Sequence, residues 1–280
     1  MKNSKLIIVA GPTAVGKTAY AIQLARELGT EIVSCDSRQF YSELDIGVAR
    51  PSPDELAAVR HHFIACRSVA EPYNIFDYHR DAVALITRLF ASHDSVVAVG
   101  GSGLYVDALL HGVSRMPDPA PELRASLQQM SLEEKRALLS RLDPEYYSVV
   151  DLRNPVRLQR ALEVCITAGR PYSSLLADSR PVEPPFHCEV RVVEMEPTRL
   201  RSRIDRRVDA MMQAGLLDEV RSLMPYRELP TLRTVGYREL FPVVDGSARL
   251  DDAVAQIKLN TWHYARKQLT WFRRYMSVKG

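Results

Sequence analysis

Gly11-Pro12-Thr13-Ala14-Val15-Gly16-Lys17-Thr18 fits the spacing G-x-x-x-x-G-K-[ST] at every fixed position. Residues of these types in this order grip a polyphosphate. Backbone amides of a glycine-rich turn converge on anionic oxygens, the lysine adds charge, and the threonine hydroxyl is placed to hold a magnesium ion (Mg2+). Polyphosphate contacts are therefore expected from Gly11, Thr13, Ala14, Val15, Gly16, Lys17 and Thr18, with Thr18 as the metal ligand. A second chemical group follows the apolar run Glu31 to Cys35, which ends in Asp36 and continues Ser37-Arg38-Gln39. A carboxylate there can take a proton from an amine under attack, and a glutamine amide can read an adenine edge; a helix cap or a neighbour of the magnesium is the alternative role for Asp36. A third run, Ser95 to Val99, ends in Gly100-Gly101-Ser102-Gly103. Enzymes that hydrolyse or transfer a nucleotide phosphate from such a loop usually carry an acid for their magnesium at that point, so none is supplied here.

The elements needed to position these groups are legible in the periodicity. Strands are expected near 5–10, 31–35 and 95–100, and helices over 17–28, 53–60, 76–91 and 103–111. That alternation predicts an α/β fold, a parallel sheet flanked by helices. Met116-Pro117-Asp118-Pro119-Ala120-Pro121 breaks the pattern, and only helical periodicity follows until the proline-rich stretch 181–185. An all-helical insertion over 115–185 is expected inside a catalytic core made of 1–114 and 186–280. A strand over 188–195 then leads into two basic helices. The first, opening at Arg199 and running to Met224, places Arg199, Arg203, Arg206 and Arg207 on a broad face that either clamps a polyphosphate or forms a solvated ion-pair surface with Asp205, Asp209, Asp218 and Glu219. The second, from Asp251 to Tyr275, has no acidic residue after Asp252, while Lys258, Arg266, Lys267, Arg273, Arg274 and Lys279 all follow it. Its cations suit a phosphate backbone, with Arg266 and Arg273 in one column; its aromatics at helical spacing, Tyr264, Trp271 and Tyr275 with Ile257, read as core.

Composition narrows the classes further. The 280 residues are 46% hydrophobic and carry a net charge of only +3, so the chain can fill a substantial core and its overall charge argues nothing. Cys35, Cys66, Cys165 and Cys188 have no paired spacing, and His61-His62 lacks companions for zinc. Reduced thiols, no signal peptide and no membrane span point to a cytoplasmic protein, expected to be a monomer.

Six motifs in order, over nearly the whole length, give the chain a resemblance to the bacterial tRNA dimethylallyltransferases, also called isopentenyl-diphosphate:tRNA isopentenyltransferases. They are Gly11 to Thr18; Asp36 to Tyr41 with Asp45-Ile46-Gly47; Gly100 to Tyr105; Arg157 to Val164; Val235 to Glu239; and Tyr264 to Trp271. The resemblance implies transfer of a dimethylallyl group from its diphosphate to the exocyclic N6 amine of the adenosine just 3′ of the anticodon. It implies that the glycine-rich loop holds the departing diphosphate, that Asp36 is the general base, that Ser102 orients a substrate and that Arg207 steadies the leaving group. Contacts to the tRNA anticodon stem-loop would come from Asp36, Ser37, Arg38, Gln39, Ser102, Arg124, Arg157, Gln159 and Arg160, besides Arg266 and Arg273. The insertion would grip the stem-loop. Trp262 stands where the family usually has arginine, and Val48 where it has threonine. An ATP-dependent small-molecule kinase and a non-catalytic tRNA-binding protein are the competing expectations.

Overall fold

The run Lys5–Ala10 is apolar without alternation because both faces of its strand, β1, are covered: Leu6, Ile8 and Ala10 join one buried cluster, and Ile7 and Val9 another. A computed structural model of the chain describes residues 4–178 and 184–276. Alongside β1 lie β2 (Ile32–Ser34), β3 (His61–His62), β4 (Ser95–Gly100) and β5 (His187–Val192), in the spatial order β3-β2-β4-β1-β5, with every pairing parallel. The expected parallel sheet is therefore present. Its shortest strand, His61–His62, carries too little pattern to be read from sequence.

Helices cover both faces. On one side α1 (Lys17–Leu28) buries Ala21, Leu24 and Ala25 against Ile7, Val9, Val97 and Val99, with α2 (Pro53–Ala58) beside it. On the other, α3 (Ile75–Leu89) and α4 (Gly103–His111) bury Tyr78, Ala82, Ile86, Val106 and Leu109. Tyr78 is fully buried yet satisfied, because its hydroxyl donates to the Ser34 carbonyl at 3.0 Å. Next in sequence come α5 (Pro121–Gln129), α6 (Leu132–Leu142), α7 (Pro144–Val149), α8 (Pro155–Ala168) and α9 (Tyr172–Asp178). After β5 the chain forms α10 (Pro197–Gln213), α11 (Leu216–Ser222), α12 (Tyr237–Val244) and α13 (Leu250–Phe272).

The chain divides into two compact units, Met1–Leu110 with Pro184–Gly280, and His111–Glu183. The second is all helix among its described residues, with its own core of Leu127, Leu139, Leu158, Ala161 and Leu162. Of the proline-rich stretch, 181–183 lie outside the described residues, as does Lys279. Two expectations need correction. The basic helix from Arg199 does not run unbroken to Met224: Gly215, at φ 99°, turns the chain between α10 and α11, a left-handed conformation that costs glycine little. The last helix ends at Phe272, and Arg273–Tyr275 continue as a 3-10 turn.

Candidate active site

Three loops meet because their strands are neighbours. The glycine-rich loop leaves β1, Asp36 follows β2 and Gly101-Ser102 follow β4, so parallel pairing delivers all three to the carboxyl edge of β2-β4-β1, where open α/β sheets bind ligands. The loop closes onto α1 through Gly16 at φ 104°, and Ala14 is also held left-handed at φ 64°. No side chain caps α1 and no acid sits in its first turn. Its leading amides are left to an anion, which the helix dipole favours.

Cations surround this mouth. Lys17, Arg203 and Arg207 line a cavity of about 360 Å³ together with Thr13, Ala14, Gly16, Thr18 and Asp36. Arg203 and Arg207 are one turn apart on α10 and both line this cavity, while Arg201 pairs with Asp205. Burial depresses the Lys17 ammonium to about 8, with Asp36 pulling the other way and Arg207 adding to the fall. Burial likewise lowers Arg207, again opposed by Asp36. Lys17 Nζ donates to the Pro12 carbonyl at 2.7 Å, and Arg207 Nη1 lies 3.4 Å from Thr13 Oγ1.

Asp36 is held by a local turn rather than used to cap a helix. Its Oδ1 accepts from the Arg38 amide at 2.9 Å. The carboxylate borders both the cation-lined cavity and a second one of about 240 Å³, lined by Ser37, Arg38, Val235, Gly236, Ile257 and Thr261 among others. Ser102 Oγ accepts from the Ser37 amide and donates to Ser37 Oγ, both at 3.1 Å. Gln39 departs from the expected base-reading role. Its Nε2 donates to the Ala49 carbonyl at 3.0 Å and its Oε1 accepts from Ser34 Oγ at 3.2 Å, so the amide is spent on the protein's own loop.

That loop has a second anchor which sequence reasoning missed. Glu219 of α11 accepts from the Ile46 amide (2.7 Å), the Gly47 amide (3.1 Å) and the Tyr237 hydroxyl (2.6 Å), and so fixes Val48 and Ala49, which line both cavities. Gly47 must be glycine here, since a Cβ would sit 2.5 Å from the Tyr237 hydroxyl. The signal was present: Asp45-Ile46-Gly47 and Val235-Gly236-Tyr237 are two of the motifs, without an acid to join them. Glu219→Gln turns one acceptor oxygen into a donor facing these donors. It is expected to lower stability by about 1–3 kcal/mol, read from denaturant unfolding; an unchanged midpoint would remove Glu219 as the anchor.

The last helix also differs from expectation. Tyr264 is not core: it is 41% exposed and lines both cavities. Gln268 is the buried residue, with Oε1 accepting from the Thr13 amide at 2.8 Å and Nε2 donating to the Gly101 carbonyl at 2.7 Å. It locks the glycine-rich loop to the β4 loop and leaves no room for a side chain at Gly101. Trp262 packs against Ala14, Val15, Leu200, Ile204 and Ala265, with Arg201 5.9 Å from its ring centre. The basic charges are partly offset after all, by acids from other elements: Arg274 pairs with Asp107 and Lys258 with Asp209. Arg266 and Lys267, with His263, Thr270, Trp271 and Arg274, line an outer groove, and Arg273 is exposed in the 3-10 turn.

Within the helical unit, Arg124, Gln159 and Arg160 gather on the buried Glu163 at 3.5, 3.0 and 3.6 Å. Arg157, in the first turn of α8, is exposed. Among the described residues no group of three or more His, Cys, Asp or Glu is placed to hold a metal, and no helix is long and apolar enough to cross a membrane.

A parallel sheet carrying a cation-lined glycine-rich loop at its carboxyl edge defines a phosphate-loop α/β protein. Residues 39–275 match a sequence model described as IPP transferase, and the chain belongs to that family. A tRNA dimethylallyltransferase of Christiangramia forsetii is 45% identical over 98% of this chain and 92% of its own length. Among solved structures, the tRNA delta(2)-isopentenylpyrophosphate transferase of Staphylococcus epidermidis superposes with a TM-score of 0.70 at 27% identity, covering 98% of this chain and 92% of that one. The full-length tRNA isopentenylpyrophosphate transferase of Bacillus halodurans gives 0.68 at 33% identity, covering 96% and 87%.

Proposed function

We propose that this chain transfers a dimethylallyl group from dimethylallyl diphosphate to the N6 amine of the adenosine 3′ of the anticodon in tRNA, releasing diphosphate. The observation that carries the reading is that one carboxylate, Asp36, borders both the cation-lined cavity and its neighbour. The diphosphate sits on the amides of the glycine-rich loop, with Lys17, Arg203 and Arg207 taking up its charge. The adenine, taken out of its stack, enters from the second cavity past Ser37 and Arg38. Its nitrogen lone pair forms the new C–N bond, the C–O electron pair leaves with the diphosphate, and the amine proton passes to Asp36. Ser102, tied to Ser37, orients the group beside it.

Magnesium suits this site. Thr18 lines the cavity and its hydroxyl would hold the ion, which usually keeps several waters and needs few protein ligands, so the lack of a carboxylate cluster does not count against it. Bound there, it would neutralise charge on the leaving diphosphate. Arg266 and Lys267 on the outer groove, with Arg124, Arg157, Gln159 and Arg160 of the helical unit, supply polar surface for the RNA backbone. Such RNA is met in the cytoplasm, where the chain would act as a monomer with its free cysteines reduced.

A kinase is disfavoured because β4 ends in Gly100-Gly101-Ser102 without an acid. Incubation with radiolabelled dimethylallyl diphosphate and unmodified tRNA is expected to move label into the RNA. ATP turnover without such transfer would support the kinase instead, and RNA binding without either would support a binding protein.

A further inference from the structure

Thr13, Asp36, Val48, Ala49, Arg207 and Tyr264 belong to both cavities. If diphosphate rests on the glycine-rich loop and the accepting carboxylate is Asp36, the carbon that changes partners lies in the space these six enclose. Thr13 and Arg207 face the departing anion, Asp36 faces the amine, and Val48 and Ala49 are small apolar walls. Only one of the six presents a π face. Ser102 and Gln268 neighbour the Tyr264 hydroxyl, while the residue as a whole keeps 41% of its surface accessible. The ring is therefore an open plate on the wall shared by the two cavities rather than packing.

We propose that Tyr264 is a catalytic residue: its ring stabilises the positive charge that builds on the allylic carbons as the C–O bond lengthens. This rests on the prenyl-transfer reading above. In that step the C–O electron pair departs with the diphosphate, the amine lone pair fills the vacancy and the proton goes to Asp36, so the ring exchanges no electrons or protons. An aromatic face attracts a cation through its quadrupole, most strongly where water is excluded. The hydroxyl takes no part in the transfer. Burial first, then the charge of Asp36, push it up to about 12, so it stays protonated and uncharged at neutral pH.

The test separates ring electronics from shape. Tyr264→Phe serves as the parent, and the same position is then filled with phenylalanines carrying one, two and five ring fluorines, which weaken the quadrupole in steps while changing volume little. Single-turnover transfer to tRNA is expected to slow in proportion, about 30-fold from phenylalanine to the pentafluoro ring, with affinity for inorganic diphosphate unchanged. A transfer rate that stays flat across the series would overturn the proposal. So would a series in which RNA affinity shifts and the bound rate does not, since the ring would then be stacking on the base. If neither the native chain nor Tyr264→Phe labels tRNA, the transfer reading itself fails, an outcome distinct from a flat series.

Discussion

Asp36→Asn is expected to slow prenyl transfer by about 10²–10⁴-fold, the usual contribution of a positioned general base. The substitution is chosen for what it preserves. An asparagine Oδ1 can still accept from the Arg38 amide, the 2.9 Å contact that shapes the turn after β2, so the loop and its neighbours Ser37 and Ser102 should stay in place. What is lost is the capacity to take the amine proton, and with it the charge that opposes the fall in the Lys17 and Arg207 pKa values. Affinity for tRNA should therefore remain within a few-fold while the single-turnover rate collapses. An unimpaired rate would take Asp36 out of the chemistry.

A second large effect concerns pH. In the ligand-free protein burial holds Lys17 at about 8. A bound diphosphate places anionic oxygens beside the ammonium, favours its charged form and raises that value. The sign follows from linkage: the group binds its proton more tightly in the complex, so affinity is at its full value below pH 8 and declines as pH climbs through it. Once corrected for the ligand's own ionisation, the dissociation constant for inorganic diphosphate should be nearly level from about pH 6 to 7.5, then grow by up to about tenfold per pH unit until the bound-state pKa is reached. Calorimetry in buffers of different ionisation enthalpy would register the proton taken up. Lys17→Met should bind about 10²-fold more weakly, as expected for loss of a charge-assisted contact to a desolvated anion, with the steep rise above pH 8 abolished. The same rise in Lys17→Met would assign the titration to another group.

What could be read from the sequence follows from how locally each feature is encoded. The glycine-rich loop needs only its own eight positions, and the continuous apolar runs of β1 and β4 announce strands buried on both sides. Asp36 was findable because a carboxylate directly after such a strand must reach the sheet's carboxyl edge. The α10–α11 break was harder, since apolar spacing passes through Gly215 and only its left-handed φ reveals the turn. Tyr264 misled because helical periodicity reports which side of a helix a residue occupies, not whether that side meets protein or a cavity. Arg274 and Lys258 looked uncompensated for a related reason: Asp107 and Asp209 are distant in sequence and adjacent only after folding. Glu219 and Gln268 act on backbone groups far along the chain, a kind of contact that leaves no spacing to detect.

The Gln268 contact has an implication for synthesis. The amide it holds belongs to Thr13, 255 positions earlier. A ribosome therefore delivers the anion-binding turn long before the helix that completes it, and every intermediate length of nascent chain carries that turn without its keystone. Prematurely ended products would keep the first strand and its loop yet lack the side chain that ties that loop to Gly101.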